Sequence, residues 1–138
     1  MKTRNITNMS GQGGFTLIEV IAVLVIVGML AAVAIPKYMD MQDQAAVGAV
    51  KGAIAAGASN VTMVYSSQLI AGTYTVGNVV TTLSNTPYTN VGDFTLSYLA
   101  NNSTNGIDVT VVSSSVNAIN QRINGMNTSD KMKTVPLQ

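Results

Sequence analysis

Gly13-Gly14-Phe15-Thr16-Leu17-Ile18-Glu19-Val20 opens an apolar run that continues to Ile35, and the reading of that run decides the fold. From Phe15 to Ile35 there are 21 residues, and Glu19 is the only ionisable side chain among them. As a helix rising 1.5 Å per residue the run is about 31 Å long, the thickness of the hydrocarbon core of a bilayer. An acid at the centre of such a helix costs roughly 2.5–3.5 kcal/mol, and less towards the interface. Glu19 therefore marks a functional site with a partner to be found, and the run is more than an anchor.

The residues ahead of the run, Met1 to Gly14, are polar and carry Lys2 and Arg4. Basic residues on this side keep it cytoplasmic and send the C-terminal part outward; Lys37 on the far side is offset by Asp40 and Asp43, although acids count for little in that rule. A secretory signal peptide is cleaved after its apolar region, behind small residues, and Ala31-Ala32-Val33-Ala34 imitates such a site. An ordinary cleaved signal or an uncleaved anchor is thus the plainer alternative. Neither accounts for Glu19 or for the Gly14-Phe15 junction.

A short basic leader ending in Gly14, then Phe15, Thr16, Leu17, Ile18 and Glu19, a long apolar helix and Pro36 after it resemble the type IV prepilin family. That family comprises pilins, the pseudopilins of type II secretion and minor pilins. The close likeness runs over about residues 11 to 38; beyond Gln44 it is one of layout. The resemblance implies a leader over 1–14, cleavage between Gly14 and Phe15 by a prepilin peptidase, and N-methylation of Phe15. It also implies a transmembrane and filament-core half of the helix over 15–36, and a head over 37–138 that includes the second half of the helix. The implied partners are other copies of the chain in a helical filament, the prepilin peptidase and methyltransferase, an inner-membrane assembly platform, and the membrane before assembly. The implied location is the bacterial inner membrane, as a single-pass precursor with its head outside the cytoplasm, and then an extracellular or periplasmic filament.

Cleavage would create an amine on Phe15, four residues from Glu19 and so on the same helix face. Glu19 then pairs either with the amine of its own chain, helped by its place near a helix N-terminus, or with Phe15 of the next subunit, setting register in a filament. The resemblance favours the second, and such a buried pair acts as a specificity device rather than a large net stabiliser. Gly28 and Pro36 interrupt the helix, glycine by about 1 kcal/mol against alanine and proline by removing a backbone bond. They predict a bend, or the local unwinding that the resemblance associates with assembled pili. Small residues at Gly28, Ala31, Ala32 and Ala34 permit close helix approach.

Past Pro36, Val47, Val50, Ile54, Gly57, Val61 and Val64 recur at spacings of three and four, while Asp40, Asp43, Lys51, Ser59 and Thr62 fall off that stripe. The helix thus leaves the membrane and runs to about Ser66, with its stripe packed on the C-terminal half of the chain. Thr73 to Leu83 reads as a strand or connecting loop broken at Gly77-Asn78. Phe94 to Leu99 alternates as a half-buried strand. The loop Asn101 to Gly106 turns it into a second strand, Ile107 to Val112, with Ile107, Val109 and Val111 on one face. Ser113, Ser114 or Ser115 caps a short helix carrying Val116, Ile119 and Ile123 that stops at Gly125. The tail from Met126 is an edge strand or loose. The fold class is α+β: a long N-terminal helix, half transmembrane and half amphipathic, packed on a small antiparallel sheet.

Seven basic and six acidic side chains give the chain a formal charge of +1, and loss of Lys2 and Arg4 with a leader leaves five against six. So weakly charged a chain does not suit non-specific nucleic-acid binding and does suit self-association. Cysteine and histidine are absent, so disulfides and histidine-based triads are excluded and a zinc site is not expected. No catalytic constellation, cofactor or metal site is expected. Asp93 and Asp130 form no recognisable calcium loop. Arg122, Lys131 and Lys133 read as solvated surface, with a small DNA-binding patch the alternative. The expected function is that of a structural pilus subunit; the alternatives are a pseudopilin of type II secretion and a minor pilin for DNA uptake or adhesion.

Overall fold

The computed structural model describes residues 14–137; apart from Gly14, the leader expected over 1–14 lies outside them. The chain divides into two compact units after Met39. One helix, α1 (Leu17–Ile70, 54 residues), runs through both and is assigned as helix across Gly28 and Pro36, so neither residue interrupts it in this subunit. In the first unit every described side chain from 14 to 30 is exposed.

The second unit is an α+β head. After α1 come α2 (Val76–Leu83), the strands β1 (Asn90–Val91), β2 (Phe94–Asn101) and β3 (Gly106–Ser114), then α3 (Asn117–Gly125), α4 (Thr128–Lys131) and β4 (Met132–Pro136). The strands form one antiparallel sheet in the order β1-β2-β3-β4, with a bulge at Thr95-Leu96. Alternation fixes the inner face: Leu96 and Tyr98 of β2 and Ile107, Val109 and Val111 of β3 are buried, and the same-strand neighbours Ser97, Leu99, Asp108 and Thr110 are not. Against this face α1 sets Val50, Ile54, Gly57, Val61 and Val64 of the stripe read in the sequence, and Ala53 beside them, while Val47 of that stripe is only half-buried. Val79 and Leu83 of α2, Ile123 of α3 and Val135 of β4 close the same core. Gly57 is where helix and sheet come closest. A Cβ added there would stand 2.6 Å from Val109 Cγ1 and 2.7 Å from Leu96 Cδ1.

The helix ends later than Ser66, and its stop signal is Gly72. Gly72 takes φ 68°, its N–H donates to the Leu69 carbonyl at 3.1 Å, and the Thr73 N–H donates to that of Gln68 at 3.0 Å. These two bonds satisfy carbonyls that the last turn leaves without partners, in the glycine-terminated pattern that glycine's tolerance of positive φ allows.

Two other expectations need correction. Residues 76–83 form a helix, not a strand or loop. Thr75 caps it by accepting the Asn78 N–H at 3.0 Å, and the Thr81 and Thr82 hydroxyls donate to carbonyls one turn back at 2.8 and 2.9 Å. Capping and the burial of Val79 and Leu83, four apart, outweigh the β-propensity of valine and threonine. No serine caps α3, because Ser113 and Ser114 belong to β3 and Val116 holds the cap position. Ser114 instead accepts the Val116 N–H at 3.2 Å, and Ser115 donates to Asp93 at 3.0 Å. Of the two alternatives for the tail the structure has the edge strand: it is β4, paired to β3 from Gly106↔Pro136 to Thr110↔Met132.

Tyr98 is buried and donates its hydroxyl to the Tyr88 carbonyl at 2.8 Å. Burial raises its pKa above the ordinary 10.0, partly offset by a hydrogen bond with the Asn60 side chain.

Two predictions follow from this packing. Gly57→Ala should lower stability by about 1–3 kcal/mol through overpacking, whereas Gly52→Ala, with open space around the new Cβ, should gain about 0.5–1 kcal/mol from helix entropy. Thermal unfolding of the full chain in detergent reads the opposite signs directly. Because the folded state favours neutral Tyr98, its contribution is intact below pH 10 and is lost as pH rises through the raised value. Tyr98→Phe should therefore cost about 1 kcal/mol at neutral pH but flatten the alkaline fall in stability, as measured by denaturant unfolding from pH 8 to 12.

Candidate assembly and processing site

The sequence places its strongest signals at the start of α1. Gly14, Phe15 and Thr16 are non-helical, Leu17 is the first helical residue, and Phe15 is 84% exposed. The Thr16 carbonyl accepts the N–H groups of Glu19 at 3.1 Å and Val20 at 3.3 Å. The Thr16 hydroxyl oxygen also accepts the Glu19 N–H at 3.3 Å, and its proton is directed at Glu19 Oε2 over a long 3.5 Å. Threonine followed three residues later by glutamate, ahead of an apolar run, is the pattern of a capping box. It places an acid in the first turn, where the positive end of the helix dipole favours it.

Phe15, just outside the helix, and Glu19, in its first turn, lie on one cleft. With Val20, Val23 and Leu24 they line a shallow apolar cleft of about 320 Å³. Glu19 is the polar element of an otherwise hydrocarbon surface, able to receive one cation or hydrogen-bond donor. The helix beyond is long and apolar enough to cross a membrane, with mean hydropathy 2.9 over its best window and none of that window buried. A Cβ at Gly28 would meet nothing within 4 Å, so that face is open to close approach by another helix. Thr16 was legible as a cap from the Thr-x-x-Glu spacing but did not stand out beside Glu19.

The fainter candidates are dispersed. Arg122 forms an ion pair with Asp43 and donates to Gln42 at 3.3 Å, which takes it out of a patch with Lys131 and Lys133. Lys133 instead lines a groove with Lys51, Ser129 and Asp130. Asp108 is held across three strands by Asn101, at 3.1 and 3.2 Å, and by the Thr134 hydroxyl at 2.6 Å. Asp93 accepts from Ser115. Among the described residues no group of three or more acidic, histidine or cysteine side chains stands together as metal ligands.

Comparison with known proteins points to the same end of the chain. Residues 9–35 match the model of the prokaryotic N-terminal methylation motif. The type II secretion system core protein G of Pseudomonas aeruginosa is 53% identical over 45 residues, 33% of this chain and 32% of that protein. The type IV major alpha-pilin of Moraxella bovis is 47% identical over 49 residues, covering 36% and 31%. The type IV narrow pilus major component of Thermus thermophilus is 56% identical over 32 residues, covering 23% and 28%. The matched part thus spans about a third of each relative's length. No solved structure matches.

Proposed function

Since this chain belongs to the type IV prepilin family, we propose that it is the structural subunit of a type IV pilus filament, cleaved between Gly14 and Phe15, methylated on Phe15, and assembled through the first half of α1. The observation that carries this reading is the cleft shared by Phe15 and Glu19 at the end of an exposed apolar helix. Cleavage there converts the Phe15 amide nitrogen into an amine, and the amine is the cation that a carboxylate in apolar surroundings lacks. Pairing with Glu19 of a neighbouring copy fixes the axial register between subunits, since a slip leaves a charge unpaired in the filament core.

On this reading residues 1–14 are the leader, 15–36 the membrane and filament-core segment, and 37–138 the head with the second half of α1. The precursor sits in the inner membrane with its head outside the cytoplasm. A prepilin peptidase and methyltransferase process it, and an inner-membrane assembly platform draws it out. The apolar helix then exchanges lipid for the helices of other copies, in an extracellular or periplasmic filament. Gly28 and Pro36 lie in a continuous helix here, so any unwinding between them belongs to assembly. The role is structural, consistent with relatives named as pilins and fimbrial proteins.

A second reading, a pseudopilin of type II secretion, is supported by the identity to core protein G. Mass spectrometry of filaments sheared from cells, beside the membrane fraction, separates the two. A pilus subunit appears as the dominant sheared protein, beginning at methylated Phe15. Confinement of that processed chain to membranes points to the pseudopilin or to a minor pilin, and an N-terminus at Met1 or beyond Ala34 overturns the prepilin reading. Glu19→Ala should leave cleavage intact while lowering sheared filament at least about tenfold, in line with loss of a buried charge partner; undiminished filament yield would reject the pairing role.

A further inference from the structure

We propose that the Thr16 side chain fixes where α1 begins and so holds the Gly14–Phe15 bond in non-helical backbone, which makes Thr16 a positioning residue for the cleavage reaction. The inference rests on the reading of that bond as the processed one. Hydrolysis adds water across it: hydroxide joins the Gly14 carbonyl carbon, the C–N bond breaks, and a proton goes to the Phe15 nitrogen, which leaves as an amine. A peptide bond inside a helix turns its carbonyl and N–H into the helical ladder and presents neither to an enzyme. Here Gly14, Phe15 and Thr16 are all outside the helix, and the bond lies two residues before its first turn.

Why the boundary falls there is a matter of unpaired donors. The first N–H groups of any helix lack intrahelical partners. Next to a bilayer those donors are expensive to leave open, which drives a helix to extend outward rather than fray inward. Gly13 and Gly14 weaken that extension without setting its phase. Thr16 sets it: its hydroxyl oxygen takes the Glu19 N–H at 3.3 Å, and its carbonyl takes those of Glu19 and Val20. The cap and its capping-box acid are thus two residues of the segment that carries the junction. Glu19 meets the cap through its backbone N–H, which Glu19→Ala keeps, so the carboxylate itself is not needed for cleavage.

The test measures the rate at which full-length precursor in membranes is converted by prepilin peptidase to the chain beginning at Phe15, for wild type and for Thr16→Ser, Thr16→Asn, Thr16→Ala and Thr16→Val. Serine and asparagine cap helices as well as threonine, whereas alanine and valine do not. The first two should stay within about twofold of wild type and the last two should slow about fivefold. Carbon chemical shifts of Phe15 in detergent should turn helical in Thr16→Ala and Thr16→Val and stay non-helical in Thr16→Ser and Thr16→Asn. Valine as fast as threonine, asparagine as slow as valine, or unchanged Phe15 shifts would each overturn the proposal. Wild type left uncut at Gly14–Phe15 would remove the junction reading itself, and this inference with it.

Discussion

The structure depends on a single helix being asked to satisfy two different surroundings. Residues 14–30 find no cover within the subunit, while from Ala46 onward the same helix buries a stripe against a sheet. Hydrophobic side chains left in water cost of the order of 25 cal/mol per Å² of apolar surface, so the first segment is stable only in lipid or among other apolar helices. The second segment buries its stripe against its own head. The transition between them lies near the unit boundary after Met39. Lys37, Asp40 and Asp43 mark it with the first charges after Glu19.

That division explains why so much of the fold was legible. Periodicity is imposed by burial, and it is clean wherever a single face is buried: Val50, Ile54, Gly57, Val61 and Val64 on α1, Ile107, Val109 and Val111 on β3. What escaped was governed by local hydrogen bonding instead. Nothing in the run Val76 to Leu83 outweighs its β-branched composition until Thr75 is seen to cap it. Gly72 ends α1 because of a left-handed backbone that a list of apolar positions does not encode. Three consecutive serines beside a helix suggested a cap, but the strand claimed two of them for its ladder. At the candidate site the same contrast holds. Phe15 and Glu19, singled out by their spacing, line one cleft, and the hydroxyl of Thr16 was overshadowed by the charge next to it.

Charge is sparse in this molecule, and several of its charges are tied down. Arg122 meets Asp43, Asp108 meets Asn101 and Thr134, and Asp93 meets Ser115. The exposed Asp43–Arg122 pair contributes little to stability, in the range of about 0–1 kcal/mol for surface pairs. Its consequence is for the surface: a cation that could have joined a basic patch is neutralised in place. A head of this kind neither attracts polyanions strongly nor repels its own copies.

The head also has to close its chain without cysteine. It does so at the hairpin tip, where Asn105 takes φ 47° and brackets the C-terminal segment from both sides. Its carbonyl accepts the Leu137 N–H at 3.0 Å and its side-chain amide donates to the Leu137 carbonyl at 3.1 Å. Gly106 next to it lets β4 come so close that a Cβ would stand 2.6 Å from the Val135 carbonyl oxygen. Val135 and Leu137 are then buried in the core. A disulfide acts mainly by restricting the unfolded chain, whereas these contacts act only once the sheet has formed. The C-terminal strand is therefore held by cooperativity with the hairpin it pairs to. The Asp108–Thr134 bond, the Asn105 bracket and the burial of Val135 form or fail together, because each needs the same register between β3 and β4.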